Sequence, residues 1–176
     1  MNKTEIIATT EEKFQDLIDF LEGQDDKKWE LGPEGKWTTG QHIIHLIQSG
    51  KPLNKALSMP MFVLRYKFGK PNRPVRSYDE VKTKYKTKLA AAQGPILSPF
   101  SQNMPDTSPG GKAQIIGELK KVRDVLLKKI NKISEKDMDK NLIPHPLLGR
   151  MHIREMLMWN AIHVEHHFEI LEEKYG

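Results

Sequence analysis

Five of the seven histidines in this 176-residue chain fall into two short clusters, and they are the residues best suited to do chemistry. The first cluster holds His42 and His45, and the second holds His163, His166 and His167. A neutral imidazole nitrogen is the commonest metal ligand among side chains. Because the chain contains no cysteine, a metal would have to be held by His, Asp or Glu. The same absence excludes disulfides and a cysteine nucleophile.

The second cluster has the spacing of two ligands on one helical face. Successive residues of a helix are about 100° apart, so His163 and His167 lie about 40° apart and one turn from each other. With His163 at zero, Met156 falls at about 20° and Leu171 at about 80°, which places the pair on the apolar side. Glu165 falls at about 200°, on the opposite face. Two inward-facing imidazoles need partners, and one divalent metal would satisfy both.

The first cluster supplies candidates for a further ligand from another helix. His42 and His45 both flank an apolar arc, and periodicity does not choose between them. His166 falls about 60° to the other side of His163, at the edge of the inward-facing arc. A single histidine in a core is usually a hydrogen-bonded structural residue, so the metal hypothesis depends on the two clusters meeting. A zinc-protease motif is excluded, because Val164 follows His163 where that motif has Glu.

Hydrophobic periodicity predicts four helices that carry and surround these clusters. They cover residues 4–22, 38–59, 115–133 and about 151–174. The second begins at Thr38 or Thr39, either of which can cap free backbone N–H groups. Gly50 and Pro52 weaken its later part, and Pro60 ends it.

The third predicted helix has the clearest pattern, a narrow apolar seam with charged residues around it. The seam consists of Ile115, Leu119, Val122, Leu126, Ile130 and Ile133. Four amphipathic helices with polar connections predict an all-α fold, a four-helix bundle, in a single domain over residues 1–176.

The second and third of these helices are joined by a long connection, residues 60–109, which proline interrupts repeatedly. Apolar residues at spacings of three and four predict a helix at residues 77–93 within it. The rest should be an ordered connection across one end of the fold, since a structureless loop this long is unusual in a compact domain. No segment is securely predicted as a strand, although residues 61–66 could be extended. Residues 23–36 and 141–150 are predicted as a loop and a turn.

Composition limits the classes of function. Hydrophobic residues make up 38% of the chain and charged residues 29%, a balance typical of a soluble globular protein. No apolar run approaches the roughly 20 residues of a membrane span, and no secretory signal is visible, so we expect no membrane association and a cytoplasmic location. The net charge of +5 is modest, and aromatic residues do not alternate with the basic ones, so we expect no nucleic-acid partner.

Three segments of the chain resemble the DinB-like superfamily. Residues 37–46, Trp-Thr-Thr-Gly-Gln-His-Ile-Ile-His-Leu, resemble the family's W-S-x-x-[EQ]-H-L-x-H segment. Residues 163–167, His-Val-Glu-His-His, resemble its H-x-x-H-H segment on the last helix, and residues 145–150, His-Pro-Leu-Leu-Gly-Arg, resemble a DinB-type branch. The resemblance runs from about residue 5 to 174. The chain departs from the family at residues 168–170, Phe-Glu-Ile, where many members have Arg-Gly-Gln.

The resemblance implies a four-helix bundle with a three-histidine metal site. Carried over position by position, the ligands fall on His45, His163 and His167. The resemblance thus selects His45 over His42, and it leaves His42 and His166 as neighbours of the ligands or residues of the pocket. No catalytic residue beyond these is implied.

Three imidazoles would leave coordination positions open for water or substrate, as in catalytic metal sites. Nitrogen ligands suit Zn, Ni or Fe. Characterised members of the resembled family include S-transferases that use bacillithiol or mycothiol, and thiol-dependent isomerases. We therefore expect a metal-dependent enzyme, a thiol S-transferase or hydrolase, whose partners are a small-molecule substrate and a low-molecular-weight thiol, with a homodimer as a candidate assembly. The alternative is a metal-binding or structural helical bundle without catalysis.

Overall fold

The computed structural model of the chain describes residues 1–92, 104–107 and 111–175. Helices dominate it, with one small sheet. The elements are α1 (Lys3–Gly23), a 3-10 helix (Asp26–Glu30), α2 (Thr39–Ala56), α3 (Met61–Phe68), α4 (Tyr78–Ala91), α5 (Lys112–Lys132), α6 (Glu135–Lys140), β1 (Leu142–His145), β2 (Gly149–His152) and α7 (Ile153–Tyr175). None of the described helices is long and apolar enough to cross a membrane.

The four long helices α1, α2, α5 and α7 form the bundle. Helix α1 packs against α5 and α7, and α2 packs against the same two helices. Helices α1 and α2 follow each other in the chain but therefore lie diagonally across the bundle. Helix α4 packs on the outside of α7. The predicted fold class, an all-α four-helix bundle with a partly helical connection, is confirmed.

A capping box sets the start of α2 and with it the position of the first histidine cluster. The Thr38 hydroxyl accepts a hydrogen bond from the Gln41 backbone N–H at 3.2 Å, and the Gln41 side-chain oxygen accepts one from the Thr38 N–H at 3.0 Å. Both bonds satisfy N–H groups that the first turn leaves free. The helix continues through Pro52 to Ala56, because the ring of proline is tolerated where packing on α5 and α7 holds the helix.

The apolar seam of α5 is buried as predicted, except at its start. Leu119, Val122 and Leu126 are core residues that face α1 and α2. Ile116 is buried in place of the predicted Ile115, which is half-buried. Both lie within one turn of Leu119, and periodicity alone does not separate two isoleucines at spacings of three and four.

Two predictions about the connections were wrong. The segment that could have been extended is helix α3, which begins after Pro60 and ends at Gly69, whose φ of 82° suits a glycine. The predicted turn at residues 141–150 includes strand β1 and the start of β2, an antiparallel hairpin in which Ile143 pairs with Met151. Gly149, with φ of 75°, begins the second strand, so α7 starts at Ile153 rather than near residue 151.

Other predicted boundaries agree with the structure. Helix α4 matches the helix predicted at residues 77–93, whose last residue lies outside the described residues. Residues 94–103, 108 and 109 of the predicted connection also lie outside them. The predicted loop at residues 23–36 contains the short 3-10 helix, which buries Trp29 against α2.

Candidate metal centre

His45 on α2 meets His163 and His167 on α7 inside the bundle. The Nε2 atom of His163 lies 3.1 Å from Nε2 of His45 and 3.1 Å from Nε2 of His167. All three side chains are buried, and each offers one nitrogen within 4.8 Å of the others. Three imidazole nitrogens bound to one tetrahedral metal at 2.0–2.1 Å would lie about 3.3 Å apart. The spacing of these donors therefore fits a single ion.

The structure separates the two histidines of α2, which periodicity could not do. His45 turns its Nε2 towards the pair on α7, whereas His42 contacts His167 at the far nitrogen of that ring, with 2.8 Å between the two Nδ1 atoms. The geometry therefore groups His45 with His163 and His167. His42 contacts His167 on the side of its ring that faces away from the other two histidines.

Burial keeps the clustered imidazoles neutral. Burial, with a smaller contribution from His166, lowers the pKa of His45 from the ordinary value of 6.5 to about 4. Burial likewise lowers the pKa of His163 and His167 well below 6.5. A neutral imidazole has a lone pair free to bind a metal. Two neutral rings whose nitrogens face one another at 3.1 Å can be joined by the N–H of one ring, or both can turn lone pairs to one metal ion.

Aromatic rings enclose the histidines on several sides. Trp159 stacks on His163 with ring centroids 4.7 Å apart and planes inclined by 19°. Trp37 lies parallel to His167 within 18°, at 6.4 Å, and Tyr85 from α4 contacts His163 edge-on at 6.1 Å. Such contacts restrict the orientation of the imidazoles.

The other candidates named from the sequence lie around the cluster. His166 is half-buried beside Tyr85, with ring centroids 5.9 Å apart, and is not part of the three-histidine group. Glu165 points away as predicted, since its carboxylate contacts Lys82 and lies 3.5 Å from Lys13 Nζ. Those ion pairs make Glu165 unavailable as a base at the cluster.

His145 on β1 is separated from His163 by the ring of Trp159, which contacts both. Its ring contacts Trp159 with centroids 4.2 Å apart, and its Nδ1 accepts hydrogen bonds from the backbone N–H groups of Leu147 and Leu148 at 3.1 and 3.0 Å. Burial lowers its pKa from 6.5 to about 4. The hairpin turn therefore holds this histidine neutral, with Nε2 carrying the proton.

Sequence reasoning missed two residues that touch the histidines. Trp159 lies four residues before His163, which on a helix places the two side chains on one face, so helical spacing could have identified it. Tyr175, whose hydroxyl lies 3.3 Å from His42 Nε2, is two turns beyond His167, and its contact depends on how α2 and α7 pack.

Comparison with known proteins agrees with this architecture. The family model of the DinB superfamily matches residues 9–171, so the chain belongs to that superfamily. Among solved structures, the fold is similar to YfiT from Bacillus subtilis, with a TM-score of 0.61 and 18% sequence identity over 97% of this chain and 84% of that one. YfiT is reported as a probable metal-dependent hydrolase with an unusual four-helix bundle topology. At that identity the likeness shows the fold alone. No curated protein matches the chain by sequence.

Proposed function

We propose that the protein is a metal-dependent enzyme acting on a small molecule, with His45, His163 and His167 holding one divalent ion. The observation that carries the proposal is the buried convergence of their three Nε2 atoms, with His163 3.1 Å from each of the other two. Three protein ligands leave room for water or substrate, which is the arrangement of catalytic sites, whereas structural zinc is usually enclosed by four. Zinc, nickel and iron are the candidate ions.

An ion in this site would supply Lewis acidity, which activates an oxygen or sulfur nucleophile near neutral pH. The chain has no thiol of its own. The nucleophile is therefore water, which gives hydrolysis, or the thiol of a small-molecule cosubstrate, which gives S-transfer. The likeness to YfiT favours hydrolysis. The thiol-dependent members of the DinB-like superfamily favour transfer.

The connection between α2 and α5 is the proposed source of substrate contacts. Its helix α4 brings Tyr85 against the rings of His163 and His166. Near its other end, Thr107 approaches the start of α2, with 2.9 Å between its hydroxyl oxygen and that of Thr38. Two separate parts of the connection thus lie close to the helices that carry the histidines, which supports a role in contacting a substrate there.

The metal site can be tested without knowing the substrate. Elemental analysis of untagged protein should give about one equivalent of metal, which His45→Ala and His163→Ala lose. His166→Ala is the matched control, because His166 neighbours the pair but is not one of the three, and it should keep the metal. Wild-type protein that stays metal-free after exposure to zinc, nickel and iron would contradict the proposal.

Activity assays distinguish hydrolysis from S-transfer, and both from a metal-binding bundle without catalysis. Metal-loaded protein is assayed against a panel of esters and amides, and against low-molecular-weight thiols paired with electrophiles. Activity in the first panel alone supports hydrolysis, and activity that requires the thiol supports transfer. In either case a chelator and His163→Ala should abolish it. Stoichiometric metal without turnover in either panel would favour a non-catalytic metal-binding bundle.

A further inference from the structure

Three hydrogen bonds connect His167 to the backbone at the start of α2. The Nδ1 atom of His167 lies 2.8 Å from Nδ1 of His42. The other nitrogen of His42, Nε2, lies 3.3 Å from the hydroxyl of Tyr175, and that hydroxyl lies 2.6 Å from the carbonyl oxygen of Trp37. His42, His167 and Tyr175 are buried, so solvent does not compete strongly for these groups.

The carbonyl at the end of this series determines the direction of every bond in it. A carbonyl oxygen can only accept, so the single proton of the Tyr175 hydroxyl is donated to Trp37. The hydroxyl must then accept from His42, which places the His42 proton on Nε2 and leaves its Nδ1 as an acceptor. It follows that Nδ1–H of His167 is the donor to His42. The lone pair of His167 is thereby on Nε2, the atom that faces His163.

Close packing holds the far end of the series in place. The backbone of Gly32 lies so near the Trp37 carbonyl that a Cβ at residue 32 would be 2.4 Å from its oxygen and 3.2 Å from the Tyr175 ring. The Gln24 side chain also donates to the backbone carbonyl of Tyr175 at 3.1 Å. Tyr175, near the end of α7, is therefore fixed by contacts to the loop before α2.

We propose that His42 and Tyr175 are positioning residues, which hold His167 in its Nδ1–H tautomer and so direct its Nε2 lone pair to the metal. This inference rests on the proposed metal site. Partners on the second nitrogen of a histidine ligand fix its tautomer and raise its basicity. His163 differs, since its Nδ1 is buried without a hydrogen-bond partner among the described residues and its ring is held by stacking on Trp159.

The tautomer can be observed directly in metal-free protein. Chelator-treated protein labelled with 15N-histidine is examined by long-range 1H–15N correlation, with His167 assigned from its loss in His167→Ala. We expect the pattern of an Nδ1–H imidazole for His167 and of an Nε2–H imidazole for His42. In Tyr175→Phe, His42 should no longer show a single tautomer. An Nε2–H imidazole at His167 in the wild type would overturn the inference.

Metal affinity tests the consequence of the tautomer. Competition with a chromophoric chelator should show binding about tenfold weaker in Tyr175→Phe and up to about 100-fold weaker in His42→Leu, the range seen for outer-shell partners. His42→Asn should recover part of the loss, because its side-chain oxygen can accept from the His167 Nδ1–H. Tyr85→Phe is the matched control, since Tyr85 is a buried tyrosine beside the same cluster but outside the hydrogen-bonded series.

The outcomes keep the two proposals apart. If the wild type binds no metal but His167 shows the Nδ1–H tautomer, the proposed function fails while the hydrogen-bond direction stands. If the wild type binds metal and Tyr175→Phe matches Tyr85→Phe in both tautomer and affinity, the positioning role is wrong while the metal site stands. Thermal unfolding of each metal-free variant identifies any that has lost its fold. Tyr175→Phe removes only one oxygen atom and should disturb the fold less than the histidine substitutions.

Discussion

Helix α7 carries two buried polar clusters, one built on an ion pair and the other on neutral imidazoles. Near its start, the carboxylate of Glu155 is fully buried and accepts hydrogen bonds from the Arg73 guanidinium at 2.5 and 2.6 Å and from the Arg76 backbone N–H at 2.8 Å. About 12 Å further along the helix axis, the imidazoles of His163 and His167 face that of His45. We call these the carboxylate cluster and the histidine cluster.

The two clusters differ in whether the chain itself supplies a charged partner. Burial alone would raise the pKa of Glu155, but the bonds from Arg73 and from the Arg76 backbone outweigh it and hold that pKa below 4.5. The carboxylate cluster thus contains its own counter-charge, and it ties the segment before α4 to α7. The histidine cluster contains neutral rings whose nitrogens point at one another. A cation bound by these rings, as proposed above, would come from outside the chain.

Among the substitutions, one that breaks the carboxylate cluster should lower stability most. Arg73→Met removes the bidentate partner of a carboxylate that stays buried, and we expect it to lower the free energy of unfolding by about 3 kcal/mol. Urea unfolding in the presence of a chelator measures the change. Arg123→Met is the control, because Arg123 pairs with the exposed Asp124, and it should change the free energy by less than about 1 kcal/mol. Equal effects of the two substitutions would mean that Arg73 does not neutralise Glu155.

Metal should stabilise the protein through the histidine cluster alone. At a free metal concentration about 1,000 times the dissociation constant, the free energy of unfolding should rise by about 4 kcal/mol. Urea unfolding with and without metal measures this, and His163→Ala should show no rise. Arg73→Met should keep the full rise from its lower baseline. A loss of the metal response in Arg73→Met would show that the two clusters are coupled rather than independent.

The two clusters should respond to acid over different ranges of pH. Burial lowers the pKa of His42, His45 and His145 from 6.5 to about 4, so the unfolded chain binds more protons than the folded one between these values. The stability of metal-free protein should therefore be full above pH 6.5 and fall as the pH decreases from about 6.5 to about 4. Glu155, whose pKa is lowered from 4.5, adds a loss that begins only below about pH 4.5.

Unfolding measured against pH in two variants checks this assignment. His145→Gln should flatten the slope between about pH 6.5 and 4, because it removes one depressed histidine without touching the three clustered ones. Arg73→Met should weaken the loss below about pH 4.5, because burial raises the pKa of Glu155 once the guanidinium that lowers it is gone. If His145→Gln leaves the upper slope as it is in the wild type, His145 is not held neutral in the folded protein.

The smallest effect is expected on the outward face of α7. Glu165→Gln removes ion pairs with Lys13 and Lys82, whose side chains are 21% and 28% exposed, and should lower the free energy of unfolding by about 1 kcal/mol. Metal content should stay at its wild-type level, because Glu165 faces away from the histidines. A loss of metal in Glu165→Gln would mean that an acid on this face supports the site, and elemental analysis would detect it.

Residue spacing along one helix predicted most of the histidine cluster but not the carboxylate cluster. The members of the carboxylate cluster are far apart in the sequence. His163 and His167 share a helical face by their spacing alone, whereas choosing His45 over His42 required the family resemblance. Arg73 and Glu155 are 82 residues apart, and only the packing of the connection on α7 brings them together.

The same limit explains the errors in the connections. Helix α3 has little periodicity and is set by Pro60 and Gly69, and the hairpin of β1 and β2 is too short for alternation to distinguish it from a turn. The long amphipathic helices were predicted because each repeats its apolar spacing over several turns. A homodimer and a cytoplasmic location stay predictions.

The stacking of tryptophan on the clustered histidines gives the protein an optical signal of its own. Of its three tryptophans, Trp159 stacks on His163, with ring centroids 4.7 Å apart, and Trp37 lies 5.0 Å from His45 and 6.4 Å from His167. Indole emission responds to charge and to paramagnetic ions a few ångströms away. Occupancy of the site should therefore alter the fluorescence of unlabelled protein, with stronger quenching by nickel than by zinc. Comparing the fluorescence change on metal binding in Trp37→Phe and Trp159→Phe would show which tryptophan reports the ion.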